Sequence, residues 1–161
     1  MLLRPAVPAD IPHIAALERA SVARDFVGRW SEERHHATLH GGDSLYFVSE
    51  TDSGELAAFA ILRGLSEDSR AIELKRIVVA VPERGMGRKM LEELICMVFD
   101  EFHAHRFFLD VFEDNARARH LYESLGFKYE GVMREAALRN GAFCNLLLMS
   151  LLDREYAQRK P

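Results

Sequence analysis

Apolar and polar positions along the chain follow two periods, and each period predicts a different kind of element. Residues 71–79 end in a run of β-branched side chains, which favours a strand. After a glycine-containing turn at 81–87, apolar side chains recur every three or four residues through 90–102, as in a helix with one buried face. The middle of the chain is therefore predicted to form a strand, a turn and a helix.

The remaining chain repeats these patterns around that unit. An edge strand is predicted at 1–7, a helix behind Asp10 as its N-terminal cap, and a second helix behind Ser31. A further helix is predicted at 116–125, and the charged tail from Asp153 is predicted to fray. Five more strands are predicted, at 45–48, 56–62, 106–111, 128–139 and 144–152.

The order of these elements predicts the fold class. Hairpins between consecutive strands make antiparallel pairs, whereas the strand–helix–strand unit makes a parallel pair. We therefore expect an α/β fold with a mixed, mostly antiparallel sheet of about seven strands and about four flanking helices. Because the chain has 161 residues and 48% apolar side chains, we expect a single domain over residues 1–161.

Charge and hydropathy exclude several classes of function. The formal net charge of −4 argues against a dedicated nucleic-acid-binding protein, which would present a concentrated basic surface. The sequence shows no charged-then-apolar leader and no long apolar run, so we expect a cytoplasmic protein without a membrane partner. His36 and His40 would share a helix face, but no third ligand follows at a suitable spacing, and no metal site is predicted.

The turn at 81–87 carries the first candidate chemistry. A glycine turn that leads into a helix presents unpaired backbone N–H groups, and Arg84, Arg88 and Lys89 add positive charge. This combination predicts a site for a phosphate or a pyrophosphate. The sequence contains no P-loop motif, and a dinucleotide fingerprint fails because Met90 occupies the position of the third glycine.

Two motifs together resemble the signatures of the GNAT superfamily of N-acetyltransferases. The first is Arg-Gly-x-Gly followed by basic residues, at 84–89, after a mid-chain strand. The second runs over 115–127, with Asn at its start, Leu-Tyr in its middle and Leu-Gly-Phe at its end. The two motifs stand in the family's order and at its separation. Residues 110–115 and 131–135 also resemble the branch that acetylates the N-termini of ribosomal proteins.

This resemblance implies acetyl-CoA as the co-substrate and no metal. The implied reaction is the direct attack of a primary amine on the thioester, without an acyl-enzyme, while the protein supplies proximity and oxyanion stabilisation. The pantetheine arm would lie along the strand that ends at Val79. The implied cofactor-binding residues are Ile77, Val78, Val79, Arg84, Gly85, Met86, Gly87, Arg88, Lys89, Asn115, Ala118 and Tyr122.

The resemblance also implies two catalytic residues, Tyr122 and Glu73. A phenol with a pKa of about 10 can donate a proton to a departing thiolate, whose thiol has a pKa of about 8.5. Strand alternation would place Glu73 on the same face as Ile77 and Val79, where it could deprotonate the amine. Alternatively, Tyr122 packs between helix and sheet, Glu73 pairs with a neighbouring cation, and Asn115 caps a helix.

The sequence alone does not identify the amine that accepts the acetyl group. The resemblance implies that Phe26 and Trp30, together with Glu73, contact the acceptor, which would be a small amine or a peptide N-terminus. The competing hypothesis is a domain that binds acyl-CoA as a sensor without catalysis. The presence of both Tyr122 and Glu73 favours an enzyme, because a binding module needs neither. A homodimer through the last strands or through the aromatic loop at 26–30 is compatible with the sequence.

Overall fold

The computed structural model describes residues 3–20, 26–81 and 85–159, and seven strands in this part of the chain form one sheet. The strands are β1 (Leu3–Pro5), β2 (Ser44–Glu50), β3 (Leu56–Arg63), β4 (Ala71–Val79), β5 (Arg106–Phe112), β6 (Lys128–Arg139) and β7 (Ala142–Leu152). Their order across the sheet is β1-β2-β3-β4-β5-β7-β6. Only β4 and β5 are parallel neighbours; the other pairs are antiparallel. The predicted mixed α/β fold is confirmed.

Five α-helices accompany the sheet in the described residues. They are α1 (Ile11–Arg19), α2 (Glu32–His40), α3 (Met86–Cys96), α4 (Ala116–Ser124) and α5 (Asp153–Ala157). The prediction that the tail frays from Asp153 is wrong: α5 is anchored because the Tyr156 ring stacks on Phe99 at 4.9 Å and its hydroxyl donates to Asp100 at 2.8 Å. Within the described ranges, no helix combines the length and the apolar composition needed to cross a membrane.

The helix caps agree with the sequence in one case and differ in another. Ser31 caps α2 as predicted, because its Oγ accepts from the N–H of Arg34 at 3.2 Å. Asp10 precedes α1 but makes no side-chain cap. Its carboxylate accepts instead from the N–H of Val7 at 2.8 Å and from the Arg4 guanidinium at 2.9 and 3.0 Å. This contact fastens the start of α1 to the edge strand β1.

The apolar core lies on both faces of the sheet, so the central strand β3 is apolar from Leu56 to Leu62. On one face, α1 and the segment before α2 cover the sheet, with a cluster of Ile11, Ile14, Trp30, Tyr46, Val48, Phe59, Ile61 and Val78. On the other face, α3 and α4 cover a larger cluster that includes Leu62, Leu74, Met90, Leu91, Leu94, Phe107, Leu109 and Tyr122. Burying a side chain of this size stabilises the fold by about 2 kcal/mol.

A β-bulge in β4 changes which side chains share a face. Ile61 of β3 pairs with Arg76, but the next residue of β3 pairs with Leu74, so Lys75 is an extra residue. Leu74 and Ile77 therefore both pack against the core cluster under α3, although strict alternation would separate them. The predicted common face of Glu73, Lys75, Ile77 and Val79 is wrong, because the bulge places Glu73 on the face opposite Ile77 and Val79.

Candidate active-site cleft

The cleft opens where β4 and β5 stop pairing. The two strands pair over only three residues, from Ala71 with Arg106 to Glu73 with Phe108. Beyond that point they separate, and a cleft of about 1200 Å³ adjoins them. Because β4 continues to pair with β3 up to Val79, only its backbone groups on the β5 side lack a strand partner there. Those groups are available to a bound ligand.

The lining divides the cleft into two halves. The helix half, formed by the N-terminal ends of α3 and α4, includes Gly85, Gly87, Arg88, Asn115, Ala116, Arg117, Ala118, His120, Leu121 and Tyr122. The aromatic half, formed by the segment before α2 and by the β6–β7 hairpin, includes Phe26, Val27, Gly28, Trp30, Arg34, Met133, Ala136, Ala137 and Leu138. Residues 74–79 of β4 and 110–112 of β5 lie between the halves.

The start of α3 presents a set of backbone donors to the helix half. Gly85 has a left-handed conformation with φ of +69°, which turns the chain into the helix at low cost because glycine has no Cβ. The first backbone bond of the helix runs from the N–H of Lys89 to the oxygen of Gly85 at 3.2 Å. The N–H groups of Met86, Gly87 and Arg88 precede it and have no partner within the helix, so they can bind an anion.

Gly87 leaves room for a ligand between a strand and a helix. A Cβ at this position would lie 3.8 Å from a methyl of Val79 and 3.9 Å from a methyl of Leu121. Any larger side chain would extend into the gap between β4 and α4. The residues present therefore fit a phosphorylated, elongated molecule such as the co-substrate implied by the two motifs.

The side chains near the start of α3 that were predicted to bind the cofactor do not all line the cleft. The Arg88 guanidinium lines the cleft but also donates to Ser124 Oγ at 2.6 Å. Met86 packs against the core cluster and Lys89 is exposed, and neither side chain lines the cleft. Arg84 lies outside the described residues. Among the residues that the structure describes, the predicted basic contribution to the phosphate site therefore comes from Arg88, together with the backbone donors.

Asn115 caps α4 and also lines the cleft, so its role as a cap does not exclude the predicted contact with the cofactor. Its Oδ1 accepts from the N–H of Ala118 at 3.2 Å, which satisfies one of the free donors at the start of the helix. Its side-chain amide nitrogen remains available to a ligand. Ala118 also lines the cleft, and its small side chain keeps this wall open.

Tyr122 lies in the helix half with its ring packed and its hydroxyl available. The ring makes an edge contact with Phe127, at 5.9 Å between centroids. In the described part of the chain, the hydroxyl has no hydrogen-bond partner. Burial, and then the negative charge of Asp110, raise the pKa of Tyr122 well above its usual value. Tyr122 therefore stays protonated at neutral pH, as a proton donor must.

Asp110 is a cleft carboxylate that the sequence analysis did not single out. It lies on β5 between the buried side chains of Leu109 and Val111, and no described residue hydrogen-bonds to it. Burial raises the pKa of Asp110, Glu73 raises it further, and Lys75 opposes the shift. A desolvated carboxylate in a cleft is a candidate base.

Glu73, the base predicted from the sequence, does not line the cleft. Its Oε1 lies 3.4 Å from the Nζ of Lys75, and its Oε2 lies 3.9 Å from the Nε of Arg63. This is the pairing with neighbouring cations that the sequence left open as an alternative. Tyr122 and Asp110 therefore line the same cleft, whereas Glu73 lies on β4 outside the cleft lining.

The aromatic half contains Phe26 and Trp30, two of the three residues predicted to contact the acceptor, whereas the third, Glu73, does not line the cleft. Phe26 lies on Phe112 at 6.4 Å between ring centroids, and it is partly exposed. Trp30 also lines the cleft, but it is only 9% exposed. The guanidinium of Arg34 lies 4.2 Å from the centre of the Trp30 ring, where the π system favours a cation.

The histidine pair does not form a metal site with other described residues. The rings of His36 and His40 stack at 6.3 Å, and the Nδ1 of His40 lies 2.7 Å from the carbonyl oxygen of His36. Across residues 3–20, 26–81 and 85–159, no three His, Cys, Asp or Glu side chains cluster in a way that could hold a metal ion.

Comparisons with known proteins agree with this geometry. A family model described as the acetyltransferase (GNAT) family matches residues 17–127. The spermidine N(1)-acetyltransferase of Vibrio cholerae is 28% identical over 130 residues, which cover 80% of this chain and 75% of that protein. The enzyme of the same name from Escherichia coli K12 is 26% identical over 168 residues, covering 96% and 87%.

Solved structures show the same fold. A variant of the spermidine N-acetyltransferase SpeG from Vibrio cholerae has a TM-score of 0.86 at 26% identity, and the alignment covers 99% of both chains. The match to the family model includes α3, Asp110 and Tyr122. The prediction of an enzyme is confirmed: the chain belongs to the GNAT acetyltransferase family and is an acetyl-CoA-dependent N-acetyltransferase.

Proposed function

We propose that the protein acetylates a primary amine of a small molecule, and that the acceptor is a polyamine of the spermidine class. The observation that carries this proposal is the meeting of Asp110 and Tyr122 between the two halves of the cleft. One group is suited to remove a proton and the other to donate one. The two relatives named above are spermidine acetyltransferases, which supports a polyamine as the acceptor.

The helix half would hold acetyl-CoA, which supplies the activated acetyl group. The free N–H groups of Met86, Gly87 and Arg88 would bind the pyrophosphate at the positive end of the α3 dipole. The backbone of Ile77, Val78 and Val79, which β5 leaves unpaired on one side, would bind the pantetheine arm. Asn115 would donate to the same arm while its oxygen caps α4.

Asp110 and Tyr122 would move the protons of a direct transfer. The amine nitrogen bonds to the acetyl carbon, the carbon–sulfur bond breaks, and no acyl-enzyme forms. Asp110 takes the proton that the ammonium must lose, and its raised pKa makes it a stronger base than an ordinary aspartate. Tyr122 gives its proton to the departing thiolate, because the phenol remains protonated until that charge develops. The second proton, which the nitrogen loses as the amide forms, restores the phenol of Tyr122.

We assign the base to Asp110 in preference to Glu73. Both carboxylates lie near Lys75, but only Asp110 lines the cleft, and only Glu73 is bound by cations. These contacts occupy the carboxylate oxygens of Glu73, which leaves them less accessible to an amine in the cleft. Glu73 would act more indirectly, by raising the pKa of Asp110 through its negative charge.

The aromatic half would hold the rest of the acceptor. Phe26, Trp30 and Met133 offer apolar surface for the methylene segments of a polyamine, and Asp110 attracts its ammonium group. Arg34 and Lys75 also line the cleft, and their positive charge would suit an acceptor that carries a carboxylate. A short peptide carries a carboxylate at its C-terminus, so a peptide N-terminus, the acceptor of the branch that residues 110–115 and 131–135 resemble, is the second candidate.

The test is a thiol-release assay with acetyl-CoA against spermidine, spermine, free amino acids, aminoglycosides and short peptides, with CoA binding measured by calorimetry. We expect turnover with spermidine or spermine at lower concentrations than with the other amines. Faster turnover of peptides would replace the polyamine by the second candidate. CoA binding without turnover of any amine would contradict the proposed function.

A further inference from the structure

A buried carboxylate outside the cleft, Glu18 of α1, connects to the wall of the aromatic half. Its side chain is inaccessible to solvent. One oxygen accepts from the N–H of Trp30 at 3.0 Å and lies 3.2 Å from the Nε2 of His35. The other oxygen accepts from the guanidinium of Arg76. Glu18 thus joins α1 to β4, to α2 and to the segment before α2.

Arg76 carries this connection to the surface of the cleft. Its guanidinium donates to the carbonyl oxygen of Gly28, and its central carbon lies 4.2 Å from the centre of the Trp30 ring. Arg34 lies at the same distance from that ring, so Trp30 contacts two guanidinium groups. A Cβ at Gly28 would lie only 3.1 Å from the Nη2 of Arg76, so a larger residue there would displace the guanidinium by a few tenths of an ångström.

The network is costly, and stability alone does not explain it. Charges taken out of water lose their hydration, so a buried ion pair contributes little to stability compared with apolar packing. Such a pair does fix geometry, because leaving either charge alone in the interior is unfavourable. In this network the geometry that is fixed belongs to residues 28 and 30, both of which line the aromatic half.

We propose that Glu18 and Arg76 are positioning residues for the acceptor: they hold Gly28 and Trp30 in place and so determine how tightly the amine binds. The inference rests on the proposed function, because it assigns the aromatic half to the acceptor. Among the described residues, the hydrogen bonds and ion pairs of Glu18 and Arg76 join them to each other, to residues 28 and 30 and to His35, and none reaches the helix half. Loss of the pair should therefore affect acceptor binding and leave CoA binding unchanged.

The kinetic test is Glu18→Gln, which keeps the size of the side chain and removes its charge. We expect the KM for the acceptor to rise about tenfold, because a small displacement of a positioning wall costs one to two orders of magnitude. The kcat should change less than the KM, and the affinity for CoA should stay within about twofold of the wild-type value. A KM for the acceptor that stays at the wild-type value in a folded variant would overturn the proposal.

Trp30 is the single tryptophan of the chain, so its fluorescence reports on the wall directly. Acceptor binding should change the emission of the wild-type protein. In Glu18→Gln the emission of the free protein should shift to longer wavelength, because the ring loses a packed neighbour and gains water. Identical emission spectra for the two free proteins would count against a positioning role.

Two further variants separate positioning from stability. Asp10→Asn breaks the matched pair of Asp10 with Arg4 at the other end of α1, away from the cleft. It should lower the melting temperature without raising the KM for the acceptor. Gly28→Ala leaves the buried charges in place, and we expect it to raise only the KM for the acceptor. It therefore tests the proposal even if Glu18→Gln fails to fold. Absence of any turnover by the wild type would overturn the proposed function, whereas turnover with unchanged KM values in Glu18→Gln and Gly28→Ala would overturn only this inference.

Discussion

The helix half of the cleft is formed mainly by backbone groups, whereas the aromatic half is formed mainly by side chains. The helix half relies on backbone groups: the free N–H groups at the start of α3, the unpaired side of β4 and the cap of α4. The aromatic half relies on side chains from distant segments, namely Phe26 and Trp30, Arg34 of α2 and Met133 of β6. A backbone site depends on glycines and caps, whereas a side-chain site depends on packing.

This difference has a consequence for specificity. A site made of backbone donors tolerates changes in most side chains, so it suits a ligand that every member of a family shares. A site made of side chains changes with each substitution, so it suits a ligand that differs between members. Mutations in the helix half should therefore affect CoA binding, and mutations in the aromatic half should affect the choice of amine.

The largest expected effect follows from Gly87→Asp in the helix half. The new carboxylate would enter the gap between Val79 and Leu121, where it repels the pyrophosphate. We expect the affinity for CoA, measured by calorimetry, to fall at least about 100-fold. Gly131→Asp is the matched control, because a Cβ at Gly131 of β6 meets no atom within 4 Å. Wild-type affinity in Gly87→Asp would mean that this is not the phosphate site.

Tyr122→Phe should have the next largest effect, and it should act on the reaction step. The ring can keep its contact with Phe127, so the fold and the cofactor site are preserved. Without the hydroxyl, kcat should fall about 100-fold while the affinity for CoA stays within about twofold. Tyr129→Phe, on an exposed residue of β6, controls for the loss of a phenol. Equal kcat values for Tyr122→Phe and wild type would show that Tyr122 contributes only packing and does not donate a proton.

The smallest effects come from a matched pair of helix caps, one beside each half. Ser31→Ala and Asn115→Ala each remove a cap, and each should lower the free energy of unfolding by about 1 kcal/mol. Only Asn115→Ala should also weaken CoA binding, by about fivefold, because one hydrogen bond to the ligand is lost. Thermal unfolding and calorimetry measure the two quantities. Equal CoA affinities for both variants would show that Asn115 is a cap and nothing more.

Much of the helix half was predictable because local sequence determines it. The bounds of β4 at 71–79 follow from its own composition, and Gly85 marks the turn into α3. The cap at Asn115 likewise needs only the residues of one helix. Short motifs determine the backbone conformation of such a site, and short motifs can be recognised in a sequence.

The rest of the site could not be predicted from local sequence, because it depends on contacts between distant segments. The bulge at Lys75 inverts the alternation of β4, and this moved Glu73 to the opposite face from the one predicted. Asp110 looks like an ordinary polar position within a strand until β4 separates from β5. The contact between Glu18 and Arg76 joins residues far apart in the chain, and no local pattern indicates it.

The central claim is that Asp110, and not Glu73, removes the proton from the amine. The most direct measurement is the pH dependence of kcat/KM for wild type, Asp110→Asn and Glu73→Gln. The pKa of Asp110 is raised by burial, so the wild-type profile should bend at a pH above the usual aspartate value of about 3.9. Asp110→Asn should lose that bend and about 100-fold in rate, while Glu73→Gln keeps a bend that moves to lower pH. A bend that disappears in Glu73→Gln and persists in Asp110→Asn would contradict the account.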